Sequence, residues 1–379
     1  MKFFEFGQYW DSATFIIILA VGVMLCLLNK KALCSNTKTI VVTRKHKMSI
    51  NIYYFLIYIM LVFLYTFKDI SYGADTDYYV KTFQAAISYN NMWNVDLEPL
   101  YKLFNYIVRH ITDNYTVYFF FASIFIAAGY TFFIKQFWNN DCFLTFLVLA
   151  STQFFYDMNI MRSAMGGTFI LFSFGALKNN KFKKALVLTI IGTFFQTTLI
   201  VNIPFIMMYW LIGRTRKINF AQSVFVLIIA LIVTYIICLF ARKYFFNTRY
   251  SYYMSGQDMT PTLLGNWSIL LSGFLALYML YFRKKNDFRE NIAILAGIYS
   301  LVLIIPVIIL GAYRLTMYYY LPRLLMWGYF FKSYIKDDYR NRKIKEAIVI
   351  VLVLFYALFI ISRRSLSYGF AYRFVNLFE

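Results

Sequence analysis

The 379-residue chain is 61% hydrophobic, 22% aromatic and only 15% charged, with a mean hydropathy of +0.60, whereas soluble globular domains carry about 25% charged residues. This composition excludes a soluble domain and predicts an all-α polytopic membrane protein forming a single integral membrane domain over 1–379, since apolar runs of this length span a bilayer as helices. The net charge of +21 reads as positive-inside loop charge, so no nucleic-acid partner is expected.

Apolar runs near the length that crosses roughly 30 Å of hydrocarbon recur at 13–28, 50–67, 115–134, 142–156, 163–177, 185–212, 219–240, 262–282, 291–310, 315–331 and 347–361. The run at 185–212 is interrupted by Gln196, Asn202 and Pro204 and is basic on both flanks, through Lys181, Lys183 and Lys184 and through Arg214, Arg216 and Lys217. It is therefore predicted to enter and return as a short hairpin, which brings the expectation to about twelve passes. Of the 38 lysines and arginines, 24 lie in 29–49, 135–141, 178–184, 213–218, 283–290 and 332–346. Those segments are predicted inside and both termini outside.

The first run is followed by Lys30 and Lys31 and not by a small-residue cleavage site, so it is expected to remain as a helix. Cys26, Cys142 and Cys238 lie in or beside apolar runs and Cys34 in a basic inner loop. No disulfide framework or cysteine metal site is expected from them.

Residues 68–114 form the longest stretch without a convincing span, and are expected as an outer loop bearing surface helices. Tyr79, Val80, Phe83 and Ile87 recur at helical spacing within 76–88, predicting a helix that lies on the membrane surface. Glu98-Pro99 puts a carboxylate just before a proline at a first helical position. Leu100, Leu103, Phe104 and Ile107 give the helix that follows one apolar stripe. Two further outer segments are expected, a turn at 157–163 and a loop at 241–261.

The turn is Tyr156-Asp-Met-Asn-Ile-Met-Arg-Ser163. Its arginine opens the next helix, where free backbone N–H groups already favour an anion. Asn159, one turn earlier, is expected to cap that helix through its side-chain oxygen. Beyond it, Ser163-Ala-Met-Gly-Gly supplies small residues for close helix packing. Arg162, Arg314 and Arg323 are candidates for a diphosphate clamp, because guanidinium forks bind phosphate oxygens in pairs. Arg242, Arg249, Arg363 and Arg364 read better as independent interfacial anchors. Asp75, Asp77 and Glu98 are alternative general bases toward a sugar hydroxyl, histidine being scarce. Asp75-Thr-Asp77 as a metal site is the weaker reading, and no metal or cofactor is expected.

Several short motifs together resemble the EpsG-type members of the Wzy-like bacterial polysaccharide polymerases. They are Gly73-Ala-Asp-Thr-Asp-Tyr78, Glu98-Pro-Leu-Tyr101, Asn159-Ile-Met-Arg162, the lysine-rich turn at 178–184, the FFQTTLIVNIP that follows, and Tyr313-Arg314. The family usually has Gln where this chain has Ser163, and His where it has Gln196. The resemblance implies a GT-C-like membrane glycosyltransferase fold on the outer face of the bacterial plasma membrane. It implies polymerisation of polyprenyl-diphosphate-linked oligosaccharide repeat units, with a chain-length regulator and a flippase of the same pathway as partners. Catalytic residues would come from Asp75, Asp77, Glu98 and Arg162, and substrate contacts from Asn159, Arg314, Arg323, Tyr78 and Gln196. A flippase of lipid-linked glycans is the alternative, since it too needs an arginine-lined cavity. A membrane acyltransferase is third, disfavoured because such enzymes generally want a membrane-embedded histidine.

Overall fold

The computed structural model describes residues 44–68, 75–138, 153–214, 218–245, 267–282, 288–310, 312 and 314–333, together with Val21 and Val351. Among these the chain is helical apart from turns and one isolated bridge residue, Lys68. The predicted runs at 13–28 and 347–361, most of 142–156 and most of the loop at 241–261 lie outside the described residues.

The helices are α1 (Arg44–Thr66), α2 (Thr76–Ala85), α3 (Tyr89–Asn94), α4 (Pro99–Ile111), α5 (Tyr115–Trp138), α6 (Gln153–Asn159), α7 (Met161–Lys178), α8 (Phe182–Thr193), α9 (Asn202–Met208), α10 (Phe220–Phe245), α11 (Trp267–Tyr281), α12 (Phe288–Leu310), α13 (Arg314–Met317) and α14 (Tyr320–Ser333). Among the described residues, the stretches Tyr115–Phe137, Phe220–Phe240 and Phe288–Leu310 are long and apolar enough to cross a membrane. Ile52–Thr66, Thr197–Gly213 and Ile269–Tyr281 are shorter apolar helical stretches.

The chain divides into two compact units, one comprising 1–172, 190–197 and 337–379, the other 173–189 and 198–336. In the first, α1 runs antiparallel to α5. Thr66 and Ser123 share a hydroxyl hydrogen bond of 3.2 Å near one end, and Lys135 lies 6.0 Å from the Tyr54 ring near the other. The α7 helix closes on α5 at Gly129, where an added Cβ would come within 2.8 Å of the Thr168 hydroxyl. Thr168 in turn donates to the Phe125 carbonyl at 3.1 Å. Gly129 of α5 thus permits this close approach of the two helices.

The α2 helix forms as predicted, but its apolar stripe is covered by protein and not left to a membrane surface. Tyr79, Val80 and Phe83 are buried while Ile87 is exposed, and Phe83 stacks on Tyr118 of α5 at 4.4 Å. Periodicity identifies a face that must be buried; here the start of α5 supplies an aromatic surface before lipid can. In α4 the reverse holds. Tyr101, Asn105 and Val108 are buried against the unit, and the predicted stripe residues Leu103 and Ile107 stay exposed.

In the second unit α12 is the central helix, buried along most of its length and packed against α10, α11 and α14. Gly297 permits close packing here, since a Cβ there would lie 2.7 Å from that of Ala276. The predicted 315–331 span is broken by a turn at Tyr318 and Tyr319.

The predicted hairpin at 185–212 does fold back. Phe182 at the start of the first leg lies 6.0 Å from Trp210 near the end of the second. Further along, Asn202 donates to Thr189 at 2.8 Å, so the contacts converge on the break at Gln196. The returning leg comprises a 3-10 turn (Thr197–Val201), α9 and a π-helical turn (Tyr209–Gly213). Asn202, fully buried, also donates to Ser173 at 2.9 Å and accepts from Tyr319 at 2.8 Å. A buried amide with its donors and acceptor engaged is the affordable way to hold such a polar group in an apolar unit.

Candidate functional site

The segment 157–162 is the point on which the first unit converges, although it is not the open polar turn expected. The α6 helix runs through Asn159 and α7 begins at Met161, with Ile160 alone between them. Met158, Asn159, Ile160 and Met161 are all buried.

Four of its residues, Asp157, Met158, Asn159 and Arg162, are held by partners from different parts of the unit. Asp157 accepts from the Tyr130 hydroxyl at 2.7 Å and from Gln153 Nε2 at 2.6 Å. Burial pushes its carboxyl up to about 7, against the lowering effect of those two donors. The Met158 carbonyl accepts from Lys68 Nζ. Lys68 is fully buried, with its ammonium 4.4 Å from both the Tyr65 and the Phe119 ring centroids. Burial holds its pKa well below that of an ordinary lysine, while the two ring faces stabilise the cation. Asn159 Oδ1 accepts from the Asp75 backbone N–H at 2.9 Å. The expected role of Asn159 as a cap of α7 is therefore corrected: its oxygen fixes the start of α2, and Ile160 supplies the first helical carbonyl to Ala164.

Arg162 completes the series. Its Nη1 donates to Glu98 Oε2 at 2.9 Å, with the two side chains 17% and 3% exposed. Glu98 stands where the sequence predicted, in extended backbone (φ −70°, ψ 145°) just before Pro99. Its side chain makes no cap to its own helix. The other oxygen, Oε1, accepts instead from the backbone N–H of Thr197 at 3.2 Å and from its hydroxyl at 3.3 Å. The carboxylate thus joins the start of α4, the start of α7 and the tip of the hairpin. A second tie runs from the Leu100 N–H to the Phe194 carbonyl at 3.0 Å.

The guanidinium is not spent on this pair. Arg162 Nε is buried and makes no hydrogen bond. Burial opposes the charge, but Tyr79, Glu98, Tyr101 and Tyr78 together raise its pKa above the ordinary arginine value. Beside it, Tyr101 and Tyr118 share a buried phenol hydrogen bond of 2.9 Å. Burial raises the pKa of the Tyr101 phenol.

Of the residues expected at a site, Glu98, Arg162, Asn159 and Asp75 are linked here, directly or through one hydrogen bond to the joint. Tyr78, 49% exposed, lies within electrostatic range of Arg162. Gln196 is buried beside Thr197, and its Oε1 has no hydrogen-bond partner. Asp77 is exposed and pairs with Lys81 one turn along α2. Arg314 and Arg323 belong to the second unit. There Arg323, 8% exposed, donates through Nη2 to the Thr316 carbonyl at 3.2 Å. Sequence reasoning missed Lys68, Thr197 and the Tyr101–Tyr118 pair. A lysine closing an apolar run ordinarily reads as a boundary marker, and only its unusual company of Tyr65 and aromatic α5 residues hinted otherwise.

These features define an all-α membrane protein whose first unit is built around a buried carboxylate–guanidinium pair. The family model described as "EpsG family" matches residues 51–374, and the chain belongs to that family. No curated protein and no solved structure matches it.

Proposed function

We propose that the protein polymerises lipid-linked oligosaccharide repeat units on the outer face of the bacterial plasma membrane. A sugar hydroxyl of the incoming unit attacks the anomeric carbon of the growing chain. The bond to the polyprenyl diphosphate oxygen breaks, its electron pair leaves with the diphosphate, and the hydroxyl proton passes to a base. Negative charge grows on the departing group, so a preorganised cation is the chief catalytic requirement. A diphosphate is a weakly basic leaving group and needs no strong acid.

The observation that carries this reading is the Glu98–Arg162 pair with its guanidinium only partly engaged. Arg162 keeps a buried Nε–H without an acceptor, the kind of donor that a diphosphate oxygen would complete. Glu98 orients the guanidinium and is the base candidate closest to it; Asp75 and Asp77 are the others. Asn159, Tyr78 and Gln196 would contact sugar or diphosphate. Membership of the EpsG family supports a polymerase-like role. A flippase remains the second reading, because it also uses an arginine-bearing cavity; the carboxylate hydrogen-bonded to Arg162 favours the polymerase. Incubating purified protein with its lipid-linked repeat unit tests the proposal: a ladder of longer products is expected, and transbilayer movement of unextended substrate would overturn it.

A further inference from the structure

The helix α4 presents three faces. At about 100° per residue, Tyr101, Asn105 and Val108 point one way and are buried in the first unit. Lys102, Tyr106 and His110 form a second, polar face, with Arg109 at its protein-side edge, the guanidinium 5.7 Å from the Phe83 ring. Lys102 is held over the Trp93 ring at 5.3 Å and donates to the Trp93 carbonyl, Arg109 pairs with Asp113, and His110 Nδ1 lies 2.8 Å from the Tyr106 carbonyl. The third face is wholly apolar. Leu103, Ile107 and Ile111 are 44%, 50% and 62% exposed, with Leu100 and Phe104 half-buried at its edge. The three directions are roughly 120° apart.

A helix at the rim of a soluble protein needs only two faces. Three are required where protein, hydrocarbon and water or headgroups meet along one line. Continuity with a membrane-crossing helix supports the same conclusion. The Phe104 ring lies 6.3 Å from that of Phe125, which is ten residues, or about 15 Å at 1.5 Å per residue, into α5. On that helix Phe125 is 37% exposed, so the apolar face of α4 runs on into the apolar flank of a span.

We infer that α4 is embedded in one leaflet at the boundary of headgroups and acyl chains, with Leu103, Ile107 and Ile111 covered by lipid acyl chains. Its deep end is then the Pro99 end, the one tied to Phe194, and Glu98 is held below the headgroup level by lipid contact as well as by Arg162. The inference is independent of which reaction the site performs.

The test uses the full-length protein in lipid vesicles. Single cysteines replacing Leu103, Ile107, Ile111, Tyr106 or His110 in a cysteine-free variant are labelled with bimane. They are then quenched either by lipids brominated in the acyl chain or by aqueous iodide. Bromolipid should quench the first three at least about twice as strongly as the last two, with the order reversed for iodide. Iodide access at 103, 107 and 111, or protection of them from both quenchers by another segment or a second copy, overturns the inference. Should the cysteine-free variant fail to fold, unmodified protein is photolabelled with an acyl-chain diazirine lipid. Adducts on Leu103, Ile107 or Ile111 with none on Tyr106 or His110 are expected, and adducts confined to other segments have the same negative meaning.

Discussion

Replacing Arg162 by lysine separates the chemical role of the guanidinium from its structural one. Alanine is a poor probe, because it would leave Glu98, 3% exposed on its side chain, as an uncompensated buried charge. Such losses cost about 3–5 kcal/mol, a large share of the roughly 5–15 kcal/mol that holds a typical domain folded. Lysine keeps the charge beside Glu98 Oε2, so the expected stability loss is only about 1 kcal/mol. What lysine cannot keep is a planar donor set, with Nη1 on the carboxylate and Nε still free to meet a phosphate oxygen. Losing one charge-assisted contact that strengthens as the diphosphate departs should remove about 2 kcal/mol of transition-state stabilisation, roughly thirtyfold in rate. The assay is the initial rate of polymer ladder formation from lipid-linked repeat unit, normalised to folded protein by size-exclusion chromatography and thermal unfolding. A lysine variant with a wild-type unfolding midpoint and a rate within about threefold of wild type would refute the reasoning and make Arg162 a packing residue.

Glu98→Gln should leave donor binding intact and abolish elongation, while lowering stability by about 3 kcal/mol because Arg162 loses its buried counter-charge; elongation at the wild-type rate would shift support to the flippase reading. Asn159→Ala should cost about 1–2 kcal/mol through the orphaned Asp75 N–H, and hydrogen exchange should quicken at the start of α2 but not at the start of α7. Faster exchange at α7 instead would mean that Asn159 caps that helix after all. For Asp157, the folded carboxyl titrates near 7 against about 3.9 when unfolded, so the folded state binds its proton more tightly. Its contribution is fully present below about pH 4 and is lost as pH rises through about 7. Asp157→Asn should flatten the fall in unfolding temperature across that window, and an unchanged pH profile would count against the assignment.

Local chemistry made some of this legible in the sequence. Pro99 fixes its own φ and gives up an N–H that a first helical turn does not use, so the start of α4 was readable from two residues. Basic flanks and the interrupting Gln196, Asn202 and Pro204 likewise announced the hairpin. Long-range pairing was less accessible. Glu98 and Arg162 each read as functional candidates in the sequence, but nothing in the 64 residues that separate them says that one is the other's partner. The apolar stripes show the limit most clearly: Tyr79–Val80–Phe83 and Leu103–Ile107 follow the same helical spacing. The first is covered by aromatic side chains of α5 and the second is left exposed. Spacing states that a face is apolar, and only the tertiary neighbours decide what covers it.

The single residue between α6 and α7 makes the length of this joint a constraint separate from its composition. Inserting or deleting one residue at Ile160 would rotate α7 by about 100° and slide it about 1.5 Å relative to α6. Arg162 would then swing off Glu98 while Asp157, Met158 and Asn159 stayed with their own partners. Side chains along 157–162 can be exchanged one at a time at graded cost, whereas a one-residue change in length breaks the registry of the whole group at once. Gaps in aligned family members should therefore avoid this joint, even where its residue types differ.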